Sequence, residues 1–224
     1  MSEKSNTFPV SVHWEGDKWT ERQRRVFRPI LDQSFTIAAR TFEDLDLEVP
    51  DTIAHVSRLS KYAVFAAACR EDGSYGLGVS HHDIWGNRRR SLYHHSRTNT
   101  HEWAHIRRLK KFPYDTLIEL AATEGLATVV EDSAANRYFS RKTESQLWLE
   151  EHSPANLERM RDVFKSTVVG EPYVSATANL WFNVGYLPHG YVLGAWCVYD
   201  LLDQGATVAE VIEMSAEEII GVMA

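Results

Sequence analysis

Between Arg97 and Val130 the chain carries two helical patterns broken by Pro113, and the first of them holds His101 and His105, four positions apart. Proline cannot continue a helix, because it lacks an amide proton and its ring collides with the preceding turn. The spacing predicts a helix from about Arg97 through both histidines, a short turn, and a second helix opening at Asp115 or Thr116. Leu117, Leu120, Ala121, Leu126, Val129 and Val130 form the apolar side of that second helix. Consecutive helices joined by so short a turn pack against each other.

Within His101-Glu102-Trp103-Ala104-His105 the two imidazoles lie on one helix face, so both can reach a single ion at about 2.0–2.1 Å. Glu102 is turned by about 100° from His101, which sets its carboxylate beside such an ion without ligating it, the place of a general base. Alone, the pattern is also met by two surface histidines on an ordinary helix. Glu124 adds a third donor: it follows His105 at a spacing of 19 residues, and an antiparallel return of the second helix brings it back to the first. Two histidines and a glutamate leave a fourth tetrahedral position open, as catalytic zinc sites do and closed structural sites do not. Gly125 costs a helix interior about 1 kcal/mol relative to alanine. It predicts a close backbone approach at the metal-bearing helix, unless it marks a helix end. Glu119 faces elsewhere on the helix, and Glu131 reads as a carboxylate behind the ligand. His81-His82 and His94-His95 are rival ligands whose default reading is exposed loop.

Three blocks, His-Glu-Trp-Ala-His at 101–105, Glu-Gly-Leu-Ala at 124–127 and Gly-Tyr-Leu-Pro-His-Gly-Tyr-Val-Leu-Gly at 185–194, together resemble a known family. It is that of the bacterial predicted zinc-dependent proteases, long catalogued as a domain of unknown function and grouped with the gluzincin-like HExxH metallopeptidases. The likeness spans roughly residues 60–220. It implies one zinc ion held by His101, His105 and Glu124, with Glu102 as base. Four positions after the glutamate, where the thermolysin-like pattern has an aspartate orienting the first histidine, this chain has Thr128. The third block supplies two alternatives for the donor to a developing oxyanion, His189 and Tyr191. Gly190 and Gly194 read as packing positions of a core helix.

The expected fold is α+β and zincin-like: one domain over 1–224, with a small antiparallel sheet packed on a mainly helical body. Its parts are a helical segment at about 15–45, a sheet at about 50–85, catalytic helices at about 97–138 and a helical C-terminal part at about 140–224. Trp19, Val26, Phe27, Ile30, Leu31, Phe35 and Ile37 mark the first helix, which Pro29 kinks or divides. Strands are expected at 52–57, 61–69 and 75–80, with Glu71-Asp72-Gly73-Ser74 as a turn and Tyr75–Ser80 as an edge for an extended peptide. Ser153-Pro154, Thr207-Val-Ala-Glu210 and Ser215-Ala-Glu-Glu218 read as helix starts.

A net charge of −7 argues against nucleic acid as partner. The basic runs Arg88-Arg89-Arg90 and Arg107-Arg108 with Lys110-Lys111 read as solvated faces. No apolar run approaches the roughly 20 residues of a membrane span, and the polar first residues resemble no secretory signal, so the expected location is the cytoplasm. Cys69 and Cys197, too few for a disulfide framework, are expected as buried thiols.

These features point to hydrolysis of a peptide or protein substrate by a zinc-activated water, with Glu102 taking its proton. The alternative is a catalytically silent, zinc-stabilised regulatory or chaperone-like binding protein. A di-iron carboxylate centre needs a second Glu-x-x-His, which the sequence lacks, and a deformylase-like use of Cys69 has no neighbouring ligand motif.

Overall fold

The computed structural model describes residues 2–4, 10–16, 19–59, 67–70, 72–113, 115–172, 176–182 and 189–221. The chain divides into two compact units, Met1–Ile106 and Arg107–Ala224. The described residues are mainly helical with one small sheet, an α+β arrangement. No described helix is long and apolar enough to cross a membrane.

The first unit contains β1 (Ser2–Lys4), β2 (Val10–Trp14), α1 (Glu21–Asp44), β3 (Thr52–Arg58), β4 (Ala67–Cys69), β5 (Tyr75–Val79), α2 (His81–Trp85) and most of α3 (Arg88–Leu109). Strand order is β1-β2-β3-β5-β4. The expected antiparallel sheet is therefore corrected to a mixed one: β2, β3 and β5 run parallel, and only β1 and β4 pair antiparallel. The turn after Cys69 does return the chain, pairing Cys69 with Tyr75, but β5 then lies parallel to β3, a non-local pairing that no turn announces. β5 is flanked on both sides and is not the open edge expected for a peptide. Residues 61–66 of the expected second strand lie outside the described residues.

Alternation gives the sheet two faces. Val10, Val12, Trp14, Ala54, Val56, Leu77 and Val79 are buried, whereas His13, His55 and Ser57 are partly exposed and Ile53 is exposed. Trp14 meets Trp19 edge-on at 4.7 Å, and Trp19 stacks at 6.4 Å on Phe27 of α1. Helix α1 begins at a capping box of Thr20 and Gln23 and runs unbroken past Pro29. Pro29 and Arg25 are both exposed, so the carbonyl that loses its partner can be solvated.

Helix α3 begins nine residues before the expected Arg97, where Asn87 Oδ1 accepts from the Arg90 amide at 3.1 Å. Its early turns bury Ser91, Tyr93, His95, Ser96, Asn99 and Thr100, a largely polar face that leaves no apolar periodicity to read.

The second unit holds the end of α3 and α4 (Leu117–Phe139), α5 (Glu144–Glu150), α6 (Pro154–Val168), α7 (Ala176–Phe182), α8 (His189–Asp203), α9 (Val208–Val211) and α10 (Ala216–Ile220). The expected starts hold: Thr116 caps α4, Ser153 with Pro154 opens α6, and capping boxes at Thr207 and Ser215 open α9 and α10. Helix α4 is buried on nearly all sides and packs on α8 through glycines. A Cβ at Gly125 would fall 2.2 Å from the Gly194 carbonyl carbon, and one at Gly194 would fall 2.3 Å from the Ala121 oxygen. Gly125 thus marks a close approach, as expected, but the approaching backbone is α8. The packing role expected of Gly190 also holds, since its missing Cβ makes room for the Phe182 ring.

Candidate metal centre

The histidine motif lies deep in α3. His101 is partly exposed, while Glu102 and His105 are buried, and the two imidazole centroids are 4.6 Å apart. Within the first unit three contacts hold this stretch. Asn99 donates to Ser34 Oγ of α1 at 2.7 Å and accepts from the Tyr75 hydroxyl of β5 at 2.8 Å. Trp103 stacks on Phe35 at 6.2 Å and meets Phe42 edge-on at 5.7 Å. Cys69 Sγ donates to the Glu102 carbonyl oxygen at 3.2 Å, so this thiol, expected as a plain core residue, is a half-buried tether between β4 and α3. Cys197 is buried as expected, its thiol pushed up to about 11 by burial.

Glu102 Oε2 is buried with no hydrogen-bond partner among the described residues. An unpaired buried carboxylate oxygen costs a fold roughly 1–3 kcal/mol or more unless a water or an ion completes it.

Within the second unit, Arg108 Nε donates to Thr123 Oγ1 at 3.0 Å. Arg108 comes one helical turn after His105, and Thr123 immediately precedes Glu124, so this bond fixes the turn following the histidine motif against the stretch of α4 that carries the glutamate. Arg108 is buried; it also donates to the carbonyls of Ile212 and Met214, at 3.3 and 2.9 Å, and pairs with Glu119 at 3.4 Å. Of the basic run at 107–111 Arg108 is thus no solvated residue, whereas Lys110 and Lys111 are exposed as expected, as are Arg88–Arg90. Glu119, the competing carboxylate, is occupied by Arg108; burial holds its pKa above the usual range against that pairing.

Among the described residues two groups of three side chains have their ligand atoms all within 4.8 Å of one another: His101 with His105 and Glu124, and His13 with Glu15 and His55. The first is the set expected from sequence, and two imidazole nitrogens with one carboxylate oxygen suit a zinc-class ion. Thr128 donates to the Glu124 carbonyl at 2.8 Å, so its hydroxyl is used within its own helix. His189 is exposed at the start of α8, its ring 5.3 Å from Trp148, and Tyr191 is half-buried 5.9 Å from Phe182. Residues 183–188 of the third sequence block lie outside the described residues.

The rival histidines are not in loops. His81 and His82 sit exposed on α2, and His94 and His95 lie on α3. His95 is fully buried against Phe27 with Asp83 3.8 Å away, and burial lowers its pKa to about 4. Sequence reasoning also passed over Asp132, a buried carboxylate of α4. It accepts from Thr143, from Ser145 at 3.1 Å and from the Tyr199 hydroxyl at 2.6 Å, and burial pushes its pKa up to about 6.

Comparisons with protein-family models, with characterised proteins and with solved structures give no match to this chain.

Proposed function

We propose that the chain is a zinc-dependent metallopeptidase in which His101, His105 and Glu124 hold the metal and Glu102 is the general base. The observation that carries the reading is the convergence of three ligand atoms within 4.8 Å on a donor set that leaves one coordination position open. A zinc ion there supplies a Lewis acid that polarises a carbonyl oxygen and acidifies water. The protein's share of the chemistry falls to Glu102. Its unpaired Oε2 is a buried acceptor one residue from the first ligand, able to take a proton from the attacking water and return it to the leaving amine. The contacts of Asn99, Trp103 and Cys69 with α1 and the sheet restrain α3 on either side of that carboxylate, which favours preorganisation. His189 and Tyr191 remain the alternatives for an oxyanion donor.

Glu102→Gln tests the reading. The variant should bind zinc as the wild type does and cleave a peptide library about 10²–10⁴-fold more slowly, the range a general base contributes. Cleavage at the wild-type rate, or wild-type protein that binds zinc yet cleaves nothing, favours the silent, zinc-stabilised binding protein.

A further inference from the structure

The second group lies wholly within the first unit, on the face of the sheet opposite its core. His13 and Glu15 alternate onto that face from β2 and its extension, since the Glu15 amide donates to the Val56 carbonyl at 2.9 Å and prolongs the pairing with β3. The parallel register sets His55 directly beside His13. The two rings meet edge-on, with centroids 5.1 Å apart, and their Nδ1 atoms face each other at 3.2 Å. His55 Nδ1 also lies 3.1 Å from Glu15 Oε1.

Those separations are the informative quantity. Two ligand atoms at about 2.05 Å from a tetrahedral ion stand about 3.3 Å apart. Without an ion, one proton on His55 Nδ1 would be shared between a carboxylate oxygen and a second imidazole nitrogen, or His55 Nδ1 would turn a lone pair toward the carboxylate. A divalent cation satisfies all three atoms at once. Arg70 opposes it, because its guanidinium already pairs with Glu15 Oε1 at 3.0 Å.

We propose that His13, Glu15 and His55 form a second site for a zinc-class divalent cation, with an open fourth position facing outward from the sheet, which pins β2 to β3. It stands independently of the peptidase reading. The test is equilibrium titration of the chelator-stripped full chain with Co²⁺, with bound metal counted and the histidine ring nitrogens followed by NMR. Wild type should take up two equivalents, His13→Asn/His55→Asn one, and His101→Ala/His105→Ala one that still shifts the His13 and His55 resonances. Arg70→Ala should tighten the sheet site about thirtyfold, the effect of removing a unit positive charge roughly 4 Å from a divalent cation in water. If the His101 centre fails instead, wild type takes up one equivalent, kept in His101→Ala/His105→Ala and lost in His13→Asn/His55→Asn. Should the sheet variant not fold, Glu15→Gln must weaken the same site at least tenfold. Uptake unaltered by the His13, His55 and Glu15 substitutions, or His13 and His55 resonances unmoved by metal in wild type, overturns the proposal.

Discussion

Substituting Gly125 by alanine sets two effects of known size against each other. Alanine improves the intrinsic helix propensity of α4 by about 1 kcal/mol. Its Cβ, however, would lie 2.2 Å from the Gly194 carbonyl carbon and 2.6 Å from the Ala195 nitrogen, where ordinary contact begins at 3.4 Å. Backbone atoms of a packed helix cannot turn aside as a side chain can, so α4 and α8 must move apart by about 1 Å. A gap of roughly 0.5–1 Å forfeits a quarter to a half of each dispersion contact across it. Buried aliphatic side chains contribute about 1.5–3 kcal/mol each, and α8 buries Val192, Leu193 and Val198. Losing about a third of three such contributions costs about 1.5–3 kcal/mol; after the propensity gain, Gly125→Ala is destabilised by about 0.5–2 kcal/mol. Urea unfolding should show its midpoint lowered by roughly 0.25–1 M at an m-value near 2 kcal/mol/M. Gly194→Ala should behave alike, and the double variant should cost less than the sum, because helices already separated admit both methyl groups. Gly190→Ala meets only the Phe182 ring and should cost less than either. A Gly125→Ala protein as stable as wild type, or a strictly additive double variant, refutes the reasoning.

Arg108→Met should lose about 3 kcal/mol in urea unfolding, since it strands the Ile212 and Met214 carbonyls and leaves Glu119 without its cation; Lys111→Ala, on an exposed pair with Glu213, should cost under about 1 kcal/mol. Burial raises Asp132 from 3.8 to about 6, so between about pH 4 and 6 the unfolded chain releases a proton that the folded chain keeps, and this residue's contribution to stability falls as pH rises, by roughly 3 kcal/mol in all. His95, lowered to about 4, acts in the opposite direction as pH falls, so the measurement is the difference in urea midpoint between wild type and Asp132→Asn across pH 4–7, which should shift in favour of the variant. In the His13→Asn/His55→Asn background, chelation should lower the melting temperature, and the further substitution Glu124→Ala should abolish that response.

What could be read of the fold follows from where its determinants lie along the chain. Helix starts at Thr116, Ser153, Thr207 and Ser215 are encoded within four residues, and each is found in place. Strand β2 carries an equally local signal in the alternation of Val10, Val12 and Trp14 with Ser11 and His13, but the strand paired antiparallel to it, Ser2–Lys4, has no apolar alternation to announce a hairpin. Its other neighbour, β3, is reached only across the whole of α1, and a parallel pair leaves no turn residue as a mark. The first half of α3 is illegible for a different reason: its buried face is polar, with Ser91 and Asn99 held by hydrogen bonds and His95 by its ring contact with Phe27 rather than by apolar area, and hydropathy does not record such contacts.

The same distinction separates the two groups of metal-capable side chains. His101 and His105 stand four apart on one helix, and Glu124 follows 19 residues later on the next, so the signal for this group lies within a short stretch of sequence. His13 and His55 are neighbours only through strand register, although His13-x-Glu15 on one strand face is the local half of that pattern. Gly125 lies between the cases. Its cost within a helix was legible and so was the need for a close neighbour, but the identity of that neighbour was not, because a missing Cβ states how near another backbone comes without stating which. The glycine therefore supports the packing of α4 on α8 and lends no weight of its own to the metal reading, which rests on the three ligands and the unpaired oxygen of Glu102.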